Sequence, residues 1–276
     1  VTVWTLRFQD DFSDATPPVG GWFALPNADW KITVPDYRNG SITEPAGTNL
    51  ILSWGAGVNT AWKTGTALAP YAGYVLSNAN HSWIHSLSRT FRAELLISSA
   101  AAGNYQEGGL LIYNENLDNG YFSAWFGFLF SWDNNSQQLT VRKDKYTLGV
   151  QTHTQIASTA PFAFPVGGLY LRYYHNLWHL NTEDNQPTTL DDVDGYVLQP
   201  GWAAFYYKTS AGGAWIQVLA HDTRALDFGF PKPWIIGPWA GNRDSTTPAG
   251  SWSFDYLNIY QEPDIIPPPP PPGVGD

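Results

Sequence analysis

The sequence predicts an all-β chain: a two-sheet antiparallel jelly-roll sandwich with long loops and a C-terminal polyproline tail. Three observations carry this expectation. Short stretches of alternating apolar and polar residues, about a dozen of them, recur along the chain between turn residues. No stretch of three helical turns shows the 3.6-residue apolar period. Glycine and proline number 26 and 21 among 276 residues, which favours many turns over long helices.

The elements follow in order. Residues 3–12 begin as a strand and end in Phe8-Gln9-Asp10-Asp11-Phe12-Ser13-Asp14. Trp22 and Trp30 bracket a Pro/Gly loop, and short strands are expected at 30–34, 41–43 and 49–54. Residues 55–88 are polar, aromatic and irregular, and read as a long ordered loop. Residues 89–99 form a clear strand, with Phe91, Ala93, Leu95 and Ile97 on one face and Arg92, Glu94 and Leu96 on the other. A hairpin spans 108–130, turning at Asn119-Gly120, where both residues tolerate positive φ. In its outgoing strand Phe122, Ala124, Phe126, Phe128 and Phe130 share a core face. Tyr121, Ser123, Trp125, Gly127 and Leu129 share the other, read as a wet surface on which a flat ligand stacks. Strands continue at 138–146, 151–157 and 168–174, the last alternating Leu169, Leu171 and Tyr173 with Tyr170, Arg172 and Tyr174. Residues 176–200 break the rhythm as an acidic insertion. A second hairpin (202–209 and 214–221) and strands at 234–241 and 251–260 close a domain spanning 1–261. Pro267 to Pro272 stiffen residues 262–276 into a polyproline II spacer or tail.

Composition narrows the function classes. A formal charge of −10 argues against nucleic acid and anionic membranes, which need basic patches. No apolar run reaches the length of a membrane-spanning helix. The chain opens without a signal-like charged and apolar start, so any signal is expected to have been removed or never present. Cys and Met are both absent, which excludes disulfides, thiolate metal sites and thiol catalysis. The loss of both oxidisable sulfurs fits an extracellular setting, with compositional drift as the plain alternative.

Several landmarks resemble the concanavalin A-like lectin/glucanase superfamily, especially its LamG-like modules. Phe8-Gln9-Asp10-Asp11-Phe12-Ser13 followed by Trp22 and Trp30 is similar to its usual start. Phe91-Arg92-Ala93-Glu94 with Gly109-Leu110-Leu111-Ile112-Tyr113 resembles its central strand pair, and Tyr206 to Trp215 its Tyr-x-Ser-x-x-Gly-x-x-Trp hairpin. Ile236 to Asn242 and Ser253 to Tyr260 resemble its closing strands. The resemblance covers residues 5–261 and implies two curved antiparallel sheets, with a concave face that commonly holds glycan. It also implies calcium tying the first and last strands, for which Asp11 and Asp255 are the loose match.

Candidate sites follow from these faces. Arg92, Glu94, Tyr121, Ser123, Trp125, Tyr170, Arg172 and Tyr174 are expected to share one glycan-binding face across three strands. Sugars offer CH faces for stacking and hydroxyls for bonds to Arg and carboxylate. A polar network under the loops or a partner interface would use the same residues. Glycoside hydrolysis needs two carboxylates. The superfamily's Glu-x-Asp-x-x-Glu strand is absent, and Glu94 has Arg92 rather than a carboxylate beside it. Arg92-Ala93-Glu94-Leu95 faintly resembles the Arg-x-Glu-Leu strand of alginate lyases, but Gln155-Ile156-Ala157 lacks the companion His. Asp191, Asp192 and Asp194 offer a second calcium candidate without the closing Glu of an EF-hand; ordinary turn chemistry explains them equally well. His81/His85 and His175/His179 stand four apart, a zinc spacing only on a helix, and none is expected there. Asn39, Asn80 and Asn134 head sequons.

Together these point to an extracellular, non-catalytic carbohydrate-binding module of a surface or secreted protein, with structural calcium and a polysaccharide or glycan partner. Homo-oligomer contacts, or a neighbouring domain reached through the Pro-rich tail, complete the expected partners. The main alternative is a structural subunit of a virion appendage, fibre or cell-surface assembly. The third is a polysaccharide hydrolase or lyase with an unrecognised site.

Overall fold

The computed structural model describes residues 4–13, 30–32, 41–43, 49–55, 72–76, 91–103, 106–115, 124–147, 150–177, 202–222, 234–242 and 249–261. These hold fifteen strands and no helix: β1 (Thr5–Asp10), β2 (Trp30–Ile32), β3 (Ser41–Thr43), β4 (Leu50–Trp54), β5 (Ala72–Leu76), β6 (Phe91–Ser99), β7 (Gln106–Glu115), β8 (Ala124–Asp133), β9 (Gln138–Thr147), β10 (Val150–Ser158), β11 (Leu169–Leu177), β12 (Trp202–Lys208), β13 (Ile216–Asp222), β14 (Trp234–Asn242) and β15 (Gly250–Gln261). The expected all-β, two-sheet antiparallel sandwich is what forms.

One sheet has eight strands in the order β13-β12-β11-β6-β15-β4-β3, with β1 also on β15. β15 is long enough to carry two partners on one edge: Gly250 to Phe254 pair with β4, and Leu257 to Gln261 pair with β1. The other sheet has seven strands in the order β10-β9-β8-β7-β14-β5-β2. β5 lies within the stretch expected to be irregular; five residues in a polar, aromatic surrounding give too short a period to stand out.

The core lies between the sheets, and alternation explains who enters it. Phe91, Ala93, Leu95 and Ile97 of β6, with Leu169, Leu171 and Tyr173 of β11, face Leu110 and Ile112 of β7 and Phe128 and Phe130 of β8. Each large apolar side chain so enclosed contributes about 1.5–3 kcal/mol. Phe205 sits at the centre, its ring 5.2 Å from Phe128, 5.5 Å from Phe130 and 5.2 Å from Tyr173. Phe162 and Phe164, in the link from β10 to β11, close one end against Trp132 at 4.7 and 5.8 Å. Gly108 lets the two layers meet, because a Cβ there would lie 2.4 Å from the Trp252 indole.

The second face of the β7–β8 hairpin departs from expectation. Leu111 and Leu129 are fully buried, as are Ser131 and Trp239, so the middle of this sheet is enclosed on both sides rather than wet.

Candidate functional site

The outer face of the eight-stranded sheet carries a grid set by strand register. Arg172 of β11 stands directly opposite Glu94 of β6, and Asn258 of β15 stands opposite Glu94 on its other side. One row away, Tyr174, Arg92 and Tyr260 line up across the same three strands. In the next row, Lys208 of β12 faces Tyr170 of β11, which faces Leu96. These residues share a face because each alternates with a core residue of its own strand.

Glu94 is the hub. Its Oε1 lies 3.1 Å from Arg92 Nε and 2.8 Å from Arg172 Nη2. All three side chains keep only 12–13% of their surface in solvent. Aromatic rings sandwich the guanidinium groups: Arg92 lies 4.2 Å from the Tyr260 ring and 5.2 Å from Trp4, and Arg172 lies 3.9 Å from Trp215 and 5.9 Å from Tyr174. Such contacts add about 0.5–2 kcal/mol each, more as water is excluded. Arg172 also donates to the Tyr174 hydroxyl at 3.2 Å.

Beside this hub a groove of about 650 Å³ opens over β1 and β15, lined by Gln9, Asp11, Ser13, Asn49, Glu94, Asp255, Tyr256, Asn258 and Tyr260. Two local devices shape it. A bulge in β15 leaves Asp255 as the extra residue between Phe254, paired with Ile97, and Tyr256, paired with Leu96. A bulged strand re-aims its side chains, so Asp255 and Tyr256 both reach the groove. After β1, Phe12 adopts a left-handed backbone with φ of 54° and sinks fully into the core. The Asp10 carboxylate accepts the Phe12 N–H at 2.7 Å, which holds the turn. Asp11 and Ser13 are thereby left on the groove, where the Asp11 carboxylate accepts the Ser13 hydroxyl at 2.7 Å. Burial, and then the negative charge of Glu94, push the Tyr256 phenol well above the ordinary tyrosine range; Tyr170, Tyr260 and Asp255 add to the shift. Tyr256 is therefore a hydroxyl donor at the pH where carbohydrates are handled.

The expected site residues divide. Arg92, Glu94, Tyr170, Arg172 and Tyr174 come together on this face. Trp125 does not join them: β8 belongs to the seven-stranded sheet. Tyr121 and Ser123 lie outside the described residues, as do Asp191, Asp192, Asp194 and the polyproline tail. Asp11 and Asp255, assigned separately to calcium, line the same groove as Glu94. Sequence reading missed Tyr256, Asn258 and Tyr260, although their alternation with Leu257 and Ile259 marks them as an outward row. It also missed Trp4 and Trp215, which stand just outside strands and follow no period.

A second polar cluster sits on the seven-stranded sheet. Arg142 of β9 pairs with Glu107 of β7, Ser131 lies 3.4 Å from both Glu107 and Thr140, and Asp133 faces Glu107 directly across β7 and β8. Glu107 and Asp133 are two carboxylates abreast, but at 1% and 2% exposure neither can meet a polymer.

No protein-family model matches the chain, and no curated protein matches it. Solved structures do share its fold. The GH43 protein BlXynB from Bacillus licheniformis is 16% identical at a TM-score of 0.50, over 91% of this chain and 39% of its own. The catalytic domain of an endo-1,3-beta-glucanase (laminarinase) from Thermotoga petrophila RKU-1 is 12% identical at 0.50, over 96% of this chain and 100% of its own. A GlcNAcα1-4Gal releasing endo-β-galactosidase from Clostridium perfringens is 11% identical at 0.51, over 95% and 63%. The chain thus spans about two fifths of the length of the GH43 structure it resembles. At these identities the likeness is one of fold: a β-sandwich that glycoside hydrolases use. It runs against the expectation of a non-catalytic module and the lean away from an enzyme, because the proteins that share the architecture are named for hydrolysis. The missing Glu-x-Asp-x-x-Glu strand removes one arrangement of carboxylates, not the chemistry.

Proposed function

We propose that the chain is a β-sandwich polysaccharide hydrolase of the concanavalin A-like kind, working at the groove beside Glu94. The observation that carries this is the convergence of Glu94 and Asp255 on one polar groove rimmed by tyrosines. Glycoside hydrolysis needs two carboxylates across the scissile bond, one to protonate the leaving oxygen and one to act as base or nucleophile. Glu94, flanked by two guanidinium groups, is the charge-bearing member. Asp255, turned inward by the bulge, is the second. Tyr256 and Asn258 are placed to bond sugar hydroxyls, while Tyr260 and, along the face, Tyr170 give flat surfaces for stacking; Tyr174, at 1% exposure, is packed beneath the face and supports it. A secreted or surface setting suits an enzyme that meets polymer, and is part of the same proposal.

The test is release of new reducing ends from a panel of polysaccharides. The native chain should release them, and Glu94→Gln should lower the rate by at least about a hundredfold. Release that survives both Glu94→Gln and Asp255→Asn would move the chemistry elsewhere, and a silent native chain would overturn the hydrolase reading.

Calcium is proposed on narrower grounds. Asp11, Asp255 and the amide oxygens of Gln9, Asn49 and Asn258 line one groove, an all-oxygen set of the kind calcium takes; an ion held there would occupy the Asp255 carboxylate, so calcium is the alternative to a catalytic Asp255 and not its companion. Among the described residues, no three acidic or histidine side chains gather to hold an ion by themselves. Bound calcium would tie β1 to β15. Melting with and without EDTA decides: a lower midpoint in EDTA supports the ion, and superimposed curves remove it.

A further inference from the structure

The outer face of the eight-stranded sheet is electrically lopsided. Its carboxylates Asp11 and Asp255 lie over β1 and β15, in the groove. Across β6, β11 and β12 it carries Arg92, Arg172 and Lys208 against the one carboxylate of those three strands, Glu94. Arg92 and Arg172 share that carboxylate, so the three groups together keep one positive charge. Lys208 adds a second. Its Nζ donates to the Ala211 carbonyl at 2.6 Å and has no carboxylate partner among the described residues. Arg172 and Lys208 both lie against the Trp215 ring, at 3.9 and 4.8 Å from its centre, and Lys208 lies 5.0 Å from Tyr170. Two cations are thus held on one indole, with less than one carboxylate between them, in a chain whose formal charge is −10. Holding cations together repels them, and a negative group arriving between Lys208 and Arg172 would relieve the repulsion. The rings beside them would stack the sugar that carries it.

We propose that the β11–β12 side of this face takes the anionic substituent of an acidic polysaccharide, a carboxylate or a sulfate ester, while the sugar chain runs on into the groove at Glu94. The inference rests on the hydrolase reading of that groove and adds the substrate class to it. Neutral polymers would fill the tyrosine surface but leave the two positive charges unanswered.

The experiment offers the whole chain polygalacturonate, a sulfated galactan and a neutral β-1,3-glucan side by side. Affinity electrophoresis reads retention and a reducing-end assay reads cleavage. The expected result is retention and cleavage of at least one charged polymer, at least tenfold above the neutral one; which of the two is preferred distinguishes carboxylate from sulfate. Lys208→Gln should lower the ratio of charged to neutral retention about threefold, the worth of one half-exposed ion pair. Equal handling of charged and neutral polymers, or cleavage of the glucan alone, overturns the anionic assignment and leaves the hydrolase reading standing. Retention of a charged polymer without cleavage of any upholds the anionic site and overturns hydrolysis. Neither retention nor cleavage overturns both. A ratio unchanged in Lys208→Gln removes Lys208 from the site.

Discussion

Gly108 is a position where one methyl group decides stability. Its missing side chain is the space that the Trp252 indole occupies between the sheets, and Trp252 is fully buried. Gly108→Ala is expected to cost about 1–3 kcal/mol, read as a lower urea midpoint, because a closely packed core cannot step aside for an added carbon. The buried pair Arg142 and Glu107 makes a different demand. Arg142→Met alone strands a carboxylate in the interior and should cost about 3–5 kcal/mol, whereas Arg142→Met with Glu107→Leu should recover much of it. A third effect appears in alkali. Burial pushes the Tyr173 phenol up, and burial with Glu94 pushes up Tyr256, both from an ordinary value of 10.0. Below that value both states hold these protons and stability is intact. As pH rises through and beyond it, the unfolded chain releases protons that the folded chain retains, so stability falls. Tyrosinate absorbance should lag in the folded protein and rise together with unfolding; early ionisation of all tyrosines would contradict the burial of these two. At this scale the sequence was readable within a strand and opaque between strands. Alternation placed Arg92 and Glu94 together, but that Arg172 would meet the same carboxylate depends on the register of β11 against β6, which no local pattern encodes.

At the scale of elements, the same limit explains where Trp125 went. A period of two says which side of a strand meets the core. In a sandwich both sheets line one core, so β6, β8 and β11 present the same alternation although β8 belongs to the opposite layer. The expected eight-residue face therefore split. The bulge in β15 is marked in the sequence only by Phe254 and Leu257, two core residues three apart; the register shows it as Asp255 skipped between Phe254 and Tyr256, with Ser98 of β6 skipped beside it. Bulges are positional features, and this one sets the second carboxylate of the groove. Asp255→Ala keeps the backbone of the bulge and removes only its carboxylate, so it should leave the melting midpoint within a few degrees and abolish reducing-end release; release at the native rate would take Asp255 out of the chemistry.

At the scale of the molecule, the sandwich was the most legible feature, since many short alternating segments with turn residues leave few other ways to bury one face each. Function was the least. The same architecture carries binding and hydrolysis alike, and the choice between them turns on a handful of side chains brought together from distant strands. Gln9 and Asp11 come from one end of the described chain and Asp255 to Tyr260 from the other. They meet because β1 pairs with β15, across a sequence separation of 254 at the contact between Arg7 and Gln261.

That pairing has a consequence for how the protein is made. A ribosome releases β1 first and β15 last, and proteins fold as they emerge. Until β15 is out, Phe8 and Phe12 have no strand to be laid beside, and β6 has lost one of its two neighbours. Half of the groove is therefore absent from every nascent chain until synthesis has passed residue 260. Activity at this site would act as a completeness check: a chain cut short before β15 would carry Glu94 and its arginines, yet it would have no cleft in which to use them.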